Sequence, residues 1–247
     1  MGLLGEYVPK TLLPIYDTCL LRRQISQAIQ AGISNIIIST RPAYKTQIEK
    51  AVRDSFGMTD QVLVVESAEH ERSGMDGLLT VIRKTGFSES LLVSLGDIYY
   101  IDNPFRLIDF GSAQTLLFVA QPFNEMELEK GGVVFVTGQN VLSLAARPIP
   151  GNRQGLRWSG LSLIARQHQF VLGEFLLETA PDDPPESFFN HLLEQGENIR
   201  FQQIADFINN NSCRELTMST LYELANRFGT DPVYLQAAES FREAAAR

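Results

Sequence analysis

Asp97 is the residue of this sequence best placed to hold a metal ion. It follows Gly96 within an apolar run at residues 91–100, and a short apolar run bounded by glycine is typical of a buried strand. In an open α/β sheet, ligands bind beyond the carboxyl ends of the strands. A carboxylate at that edge suits a hard divalent cation beside a phosphate. The alternative is that Asp97 only turns the chain where the strand ends.

Lys10 is a second side chain with a use in phosphate chemistry. It lies between Pro9 and Pro14 in the stretch Pro-Lys-Thr-Leu-Leu-Pro-Ile at residues 9–15. The prolines exclude a regular helix there, so the lysine is predicted to lie on a loop. Taken by itself, an exposed loop lysine is the simpler interpretation.

Helices and strands alternate in the first part of the chain, and they must position these two side chains. Apolar residues recur at helical spacing over residues 20–31 and 44–56, and a glycine follows each segment. Short β-branched runs at residues 33–39 and 62–66 predict strands covered on both faces. This alternation with short connections predicts an α/β fold, a three-layer sandwich with a mostly parallel mixed central sheet.

The remainder of the chain continues the alternation and ends in helices. A third helix, at residues 74–84, opens with Gly74-Met75-Asp76-Gly77 and leads into the strand that ends near Asp97. We expect Ser187 to cap the helix that it opens. The other predicted strands are residues 114–121, 132–137, 141–145 and 156–164, and residues 199–207 are a strand or an extended piece. The other predicted helices are residues 167–177, 187–194, 216–228 and 233–246.

The composition indicates an ordinary soluble globular protein. The chain has 247 residues, 44% of them hydrophobic and 20% charged, and it shows no internal repeat, so we predict one domain over residues 1–247. The net charge of -8 argues against a broad nucleic-acid interface, which needs clustered Lys and Arg. No apolar run reaches the roughly 20 residues of a membrane span, and Cys19 and Cys213 suggest no disulfide framework. We therefore expect a cytoplasmic protein, and the sequence leaves a homo-oligomer open.

The order of these segments resembles the sugar-1-phosphate nucleotidylyltransferase family. The Pro-Lys-x-Leu-Leu-Pro-Ile stretch, a helix and a β-branched strand come first, and then a glycine-containing helix start like that at residues 74–77. A strand ending in Gly96-Asp97, a proline motif at Arg147-Pro148, a glycine-initiated strand at Gly160 and a late helix at residues 214–227 follow in the family's order. Each motif alone is weak, whereas the ordered set covers nearly the whole chain.

The resemblance implies a GT-A-like fold of the nucleotide-diphospho-sugar transferase type. It implies a reaction in which a sugar 1-phosphate attacks a nucleoside triphosphate and pyrophosphate leaves, with catalysis mainly by positioning and charge neutralisation. By position, Lys10 is the catalytic lysine that contacts phosphate and Asp97 is a ligand of Mg²⁺. Glycines would let the backbone approach a ligand closely. The residues assigned to nucleotide or sugar binding are Gly74, Gly77, Arg147 and Gly160.

Three departures from the family pattern predict reduced or absent activity. Met1 stands at about the point where the family's glycine-rich phosphate loop ends, so we expect that loop and the preceding strand to be absent, through truncation or loss. No aspartate occupies the second metal position in residues 214–221, where Glu215 is the nearest carboxylate and the remaining candidate ligand. The family's Glu-Lys-Pro is Ala146-Arg147-Pro148 here, which keeps only the cation.

Two other hypotheses therefore stand beside a nucleotidyltransferase of reduced activity. One is a non-catalytic subunit that binds a nucleotide or a sugar phosphate and has a regulatory or assembly role. The other is an active enzyme represented by a truncated chain. The sequence does not specify the nucleotide or the sugar, because the base-selecting segment falls partly in the expected gap.

Overall fold

Strands and helices alternate along the chain, and the computed structural model locates their ends. The structure describes residues 8–57, 60–67, 74–86, 90–122, 125–128, 131–146, 155–178, 184–228 and 232–245. The strands are β1 (Pro14–Ile15), β2 (Thr18–Cys19), β3 (Ile36–Thr40), β4 (Val62–Glu66), β5 (Leu91–Ser94), β6 (Ile98–Tyr100), β7 (Leu116–Ala120), β8 (Val133–Thr137), β9 (Asn140–Ala145), β10 (Leu156–Ile164), β11 (Arg200–Gln203) and β12 (Phe207–Asn209). The helices are α1 (Leu20–Gln30), α2 (Pro42–Phe56), α3 (Gly74–Thr85), α4 (Glu125–Leu128), α5 (His168–Glu178), α6 (Glu186–Glu194), α7 (Cys213–Phe228) and α8 (Pro232–Ala245). Short 3₁₀ turns lie at Lys10–Leu12 and Pro104–Leu107.

The longest of these strands, β10, lies inside a mixed six-stranded sheet. Every residue of β10 is buried, and the strand runs antiparallel to β5, β7 and β8. The sheet order is β5-β10-β7-β11-β9-β8, with β11 parallel to β7. Strands β5, β7 and β11 therefore share one direction, and β10 opposes them. The predicted mixed sheet is confirmed, whereas the reversed direction of β10 has no signal in a run that is buried on both faces.

Helices cover both faces of this sheet, as a three-layer sandwich requires. Successive residues of a strand point to opposite faces. Leu117 of β7 lies in one core with Leu172 of α5, whereas the next residue, Phe118, lies in a second core with Ala28 of α1. Because burial of apolar surface contributes roughly 25 cal/mol per Å², both helix layers stabilise the sheet.

The parallel pair of β3 and β4 packs against the first two helices. Its register places Ile36 opposite Val62. Ile25 of α1 and Ile48 of α2 are buried in the core that receives this pair. The amphipathic spacing predicted for both helices is therefore confirmed, and it directs their apolar faces onto the β-branched strands.

Two largely apolar segments each contribute to two strands. Residues 91–100 form β5 and β6, and residues 199–207 form β11 and the first residue of β12. Strand β5 joins the main sheet, while β6 pairs with β12 in an antiparallel ribbon that places Asn209 opposite Ile98. The prediction that the first strand ends near Asp97 is confirmed, since β5 ends at Ser94. Residues 204–206 interrupt the strand or extended piece expected over residues 199–207. The end of β5 sets Asp97 between the sheet and the ribbon.

Two helices begin earlier than predicted. Helix α6 begins at Glu186 after Pro185, so Ser187 lies inside the first turn, and its prediction as the N-cap is wrong. Helix α7 begins at Cys213, three residues before Leu216, the predicted start. The N–H groups in the first turn of a helix have no intrahelical partners, and polar residues commonly occupy that turn. The apolar periodicity that predicts a helix therefore begins after the helix itself does. Within the described ranges, none of the helices has the length and apolar character needed to cross a membrane.

Candidate functional site

Asp97 lies in the turn that joins the sheet to the ribbon, at the carboxyl end of β5. Gln24 of α1 fixes this turn, because its side-chain amide donates to the Leu95 carbonyl at 3.0 Å and to the Ile98 carbonyl at 2.7 Å. The Ser94 hydroxyl donates in turn to Gln24 Oε1 at 3.3 Å. One side chain thus holds the backbone on both sides of Asp97, and the sequence does not distinguish it from the other polar residues of α1.

Gly96 lets the turn that carries Lys10 approach Asp97. A Cβ on Gly96 would lie 2.8 Å from Thr11 Cγ2, well inside the roughly 3.5–4.0 Å at which carbon atoms pack. Thr11 belongs to the 3₁₀ turn Lys10–Leu12. Close packing against Thr11 therefore explains the glycine before Asp97. The same packing brings the turn that carries Lys10 to the turn that carries Asp97.

Replacing Gly96 with alanine is expected to lower the free energy of unfolding by about 1–3 kcal/mol, because the added methyl group overpacks against Thr11. The melting temperature should fall by about 2–4 °C for each kcal/mol, measured by differential scanning calorimetry. The double variant Gly96→Ala/Thr11→Ser lacks the opposing methyl group and should recover most of the loss. Gly131→Ala is the matched control, since nothing lies within 4 Å of a Cβ built there.

Lys10 lies on the turn that packs against Gly96, and its charge acts on Asp97. Lys10 Nζ donates to Asn211 Oδ1 at 3.1 Å. Burial raises the pKa of Asp97, and the positive charge of Lys10 opposes this shift. The two residues that the sequence singled out for chemistry are therefore brought to neighbouring turns, where the charge of a cation acts on a partly desolvated carboxylate.

Three consecutive asparagines approach the same turn from the ribbon. The buried Asn210 donates to the Asp97 carbonyl from its backbone N–H at 3.0 Å and from its side chain at 3.2 Å. Its Oδ1 accepts a hydrogen bond from Ser219 Oγ of α7 at 2.9 Å. Asn211 accepts the hydrogen bond from Lys10. Asn209 differs, because its Oδ1 is buried and has no hydrogen-bond partner within the described part of the chain.

Asp97 and Asn209 carry the oxygen atoms that we consider as ligands of a divalent cation. Asn209 is in register with Ile98, the residue after Asp97, and a buried oxygen without a partner needs an explanation such as an ion. Mg²⁺ takes oxygen ligands, and one or two protein oxygens suffice when waters and substrate phosphates complete the shell. No group of three or more His, Cys, Asp or Glu side chains in the described ranges could hold a metal, so a site here would depend on one carboxylate and an amide oxygen.

Glu215 lies in the first turn of α7, and its role as a metal ligand stays a prediction. Its Oε2 is buried and likewise has no hydrogen-bond partner among the described residues. Its backbone N–H donates to Ser212 Oγ at 3.4 Å, and the Ser-x-x-Glu spacing is that of a capping box. The hydrogen bond of the Glu215 backbone therefore stabilises the start of the helix. Asn209, by contrast, lies opposite Ile98, the residue after Asp97.

The glycines predicted to bind nucleotide lie at the start of α3. Gly74 is the first residue of that helix, and Gly77 is in the same turn. The Gly77 carbonyl accepts a hydrogen bond from Ser39 Oγ, near the end of β3, at 3.4 Å. The helix start thus meets the carboxyl end of a strand, which is where a ligand is expected in such sheets.

Gly160 and Arg147 are the two residues predicted to bind the sugar. Gly160 has φ 71° within β10, and a Cβ there would lie 2.7 Å from Leu95 Cδ1. Leu95 is the residue that opens the Asp97 turn. Close packing against Leu95 therefore explains a glycine at position 160, in addition to the predicted contact with a sugar. Arg147 lies outside the described residues.

The sequence matches the MobA-like NTP transferase domain over residues 1–107. That range contains Lys10, Gln24 and Asp97, three of the residues that build the candidate site. No curated protein matches the chain in sequence.

Solved structures of nucleotide-sugar enzymes share the fold. A UDP-glucose pyrophosphorylase complexed with UDP-glucose has a TM-score of 0.76 and 14% identity, over 92% of this chain and 94% of that one. An inositol-1-phosphate CTP transferase from T. maritima has a TM-score of 0.70 and 15% identity, over 92% of each chain. A protein assigned as a glucose-1-phosphate thymidylyltransferase from Bacillus anthracis, in complex with a sucrose, has a TM-score of 0.75 and 13% identity, over 89% of this chain and 88% of that one.

The resemblance stated from the sequence is thereby confirmed. The family model covers the Lys10 turn and Asp97, and the shared fold covers 92% of this chain. Identities this low establish the fold and leave substrates open. The chain is therefore a nucleotidyltransferase-like protein that resembles the sugar-phosphate nucleotidylyltransferases.

Proposed function

We propose that this chain transfers a nucleotidyl group from a nucleoside triphosphate to a sugar 1-phosphate, with release of pyrophosphate and with Mg²⁺ as the cofactor. The observation that carries the proposal is that the Lys10 turn and the segment of the unpartnered Asn209 oxygen both approach the Asp97 turn at the carboxyl end of β5. The family match and the fold support the reaction class. A cytoplasmic location suits such substrates and stays a prediction, as does a homo-oligomer.

Each side chain of the site would have a separate role in binding the substrates or the metal. An ammonium has three donors, and Lys10 gives one to Asn211, so the others can contact a phosphate oxygen. The Asp97 carboxylate and Asn209 Oδ1 would hold the Mg²⁺, whose charge would neutralise phosphate oxygens when it is bound. Gln24 and Asn210 fix the backbone of Asp97, so its carboxylate needs little reorganisation during reaction.

We expect turnover to be slow. The second ligand proposed from the structure, Asn209, is a neutral amide, which attracts a divalent cation less than a carboxylate would. The same feature favours a second candidate function, a subunit that binds a nucleotide or a sugar phosphate without turnover and has a regulatory or assembly role.

A paired assay tests the proposal. The purified chain is incubated with each of the four nucleoside triphosphates, Mg²⁺ and a panel of sugar 1-phosphates, and pyrophosphate is measured. In parallel, the melting temperature is measured with each nucleotide, with and without Mg²⁺. We expect one nucleotide to raise the melting temperature when Mg²⁺ is present, by the equivalent of about 2.7 kcal/mol at a hundredfold excess over its Kd. That nucleotide should also give slow, acceptor-dependent pyrophosphate release.

The two candidate functions give different results in this assay. A nucleotide-dependent rise in melting temperature without pyrophosphate from any acceptor would support the binding subunit. The absence of a rise with every nucleotide and every sugar 1-phosphate would contradict both functions.

A further inference from the structure

The ribbon of β6 and β12 directs half of its backbone carbonyls away from the partner strand. Ile101 N–H donates to the Asp206 carbonyl, and Asn210 N–H donates to the Asp97 carbonyl. Hydrogen-bonded pairs alternate with outward-facing pairs in an antiparallel ladder, so the pairs Tyr100–Phe207 and Ile98–Asn209 face outward. Buried outward carbonyls need other donors, and a two-stranded ribbon is marginally stable by itself.

Two neighbouring side chains of α1 supply donors on the β6 edge. Gln24 Nε2 donates to the Ile98 carbonyl at 2.7 Å, and Arg23 Nη2 donates to the Tyr100 carbonyl at 3.2 Å. The outward carbonyls of this strand are thus bonded to a helix that packs in the core. This edge of the ribbon, which begins directly after Asp97, is held from α1.

Arg157 of β10 holds the other edge. Its Nη2 donates to the Phe207 carbonyl at 3.0 Å, and its guanidinium carbon lies 4.2 Å from the centre of the Phe207 ring. Its Nη1 lies 2.9 Å from Asp206 Oδ1 and 2.9 Å from Glu127 Oε2. Asp206 Oδ1 also accepts the Phe207 N–H at 2.7 Å. Phe207 is therefore held at its carbonyl, at its ring and, through Asp206, at its amide.

We propose that Arg157 is a positioning residue for the metal site, because it fixes the start of the strand that carries Asn209. Asn209 is two residues beyond Phe207 on the same face of β12, about 7 Å away at the rise of an extended strand. A displacement of Phe207 therefore reaches Asn209 through one short segment of extended backbone. The proposal rests on the proposed function for the identity of the ligand, while the placement of β12 can be measured independently.

The test uses two variants of Arg157 and a matched control. Arg157→Met keeps the stem and removes every donor, whereas Arg157→Lys keeps the charge and loses the planar fork. Arg106→Met is the control, since Arg106 is exposed on the 3₁₀ turn Pro104–Leu107. Two quantities are measured on the full chain without nucleotide: Mn²⁺ affinity by electron paramagnetic resonance, and amide hydrogen exchange at Ile101 and Asn210.

We expect Arg157→Met to weaken Mn²⁺ binding about tenfold, as loss of an outer-sphere partner does, and to speed exchange at Ile101 and Asn210 more than elsewhere. Arg157→Lys should lie between Arg157→Met and the unsubstituted protein, and it carries the test if the methionine variant does not fold. Unchanged exchange at both amides overturns the proposal, as does a uniform loss of protection over the whole chain. If the unsubstituted protein binds no Mn²⁺, the metal site proposed above fails, and the exchange result still decides whether Arg157 positions β12.

Discussion

Replacement of Asp97 with alanine is expected to lower Mg²⁺-dependent pyrophosphate release by about 10²–10³-fold, the range seen when a preorganised charge-stabilising group is removed. Asp97 is the carboxylate near the carboxyl end of β5, where burial raises its pKa and the charge of Lys10 opposes that shift. The second proposed ligand, Asn209, is uncharged, so without Asp97 little negative charge would remain to attract a cation. Mn²⁺ affinity measured without nucleotide should fall together with the rate.

The fold should survive this substitution. Asn210 binds the backbone carbonyl of Asp97 and not its carboxylate. Because burial raises the pKa of Asp97, the carboxyl group favours the folded state at low pH, and that contribution is lost as the pH rises through the raised pKa. Without metal, the melting temperature of Asp97→Asn should therefore equal or exceed that of the unsubstituted protein near neutral pH. The difference should close as the pH falls.

Asp102→Ala is the matched control, because Asp102 is an exposed aspartate five residues further along the same segment. Its rate and its Mn²⁺ affinity should be unchanged. Robust, Mg²⁺-dependent turnover in Asp97→Ala would show that the proposed site is not where the reaction occurs. An equal loss in both variants would show that the effect is not specific to the turn.

A site residue could be predicted from the sequence when its chemical type and its immediate neighbours in the sequence both indicated the same role. Asp97 stands at the end of an apolar run, and Lys10 stands in a proline-bounded loop, so both were found. Asn209 was missed because its use depends on which residue β12 places opposite β6, and register is not local information. The family pattern also directs attention to a carboxylate at residues 214–221, whereas this amide lies five residues upstream of that segment. Its signal in the sequence is a run of three asparagines after an apolar pair.

The helices and strands also divide into features that have a local signal in the sequence and features that have none. The parallel pair β3 and β4 has β-branched runs and short connections, so both strands were predicted. Gln24 could not be singled out, because a polar residue between apolar positions of a helix looks the same whether it faces solvent or clamps a turn. The end of β5 has a local signal in Gly96-Asp97, whereas the pairing of β6 with β12 in a separate ribbon has none, since the main sheet and the ribbon both receive apolar side chains. The single domain over residues 1–247 stays a prediction.

Replacement of Glu223 with alanine is expected to cost about 3–5 kcal/mol of unfolding free energy, because it breaks a buried ion pair by removing one partner. Glu223 of α7 pairs with Arg23 of α1, whose side chain is only 14% exposed. Its Oε2 also accepts a hydrogen bond from the Tyr99 hydroxyl at 3.1 Å. Burial raises the pKa of Tyr99, so this hydroxyl stays protonated and donates. Alanine would leave a largely buried guanidinium and a buried hydroxyl without their acceptor.

Thermal unfolding measures this loss, with an expected fall in melting temperature of about 2–4 °C for each kcal/mol in a chain of this size. Glu223→Gln keeps an acceptor for Arg23 and Tyr99 and loses the charge, so its fall should be smaller. Glu239→Ala, an exposed glutamate on α8, should stay within about 0.5 kcal/mol of the unsubstituted protein. If Glu223→Ala is as stable as Glu239→Ala, the attraction within the pair is cancelled by the cost of desolvating it. Strand β6 would then depend on Gln24 and on its pairing with β12 for its position beside Asp97.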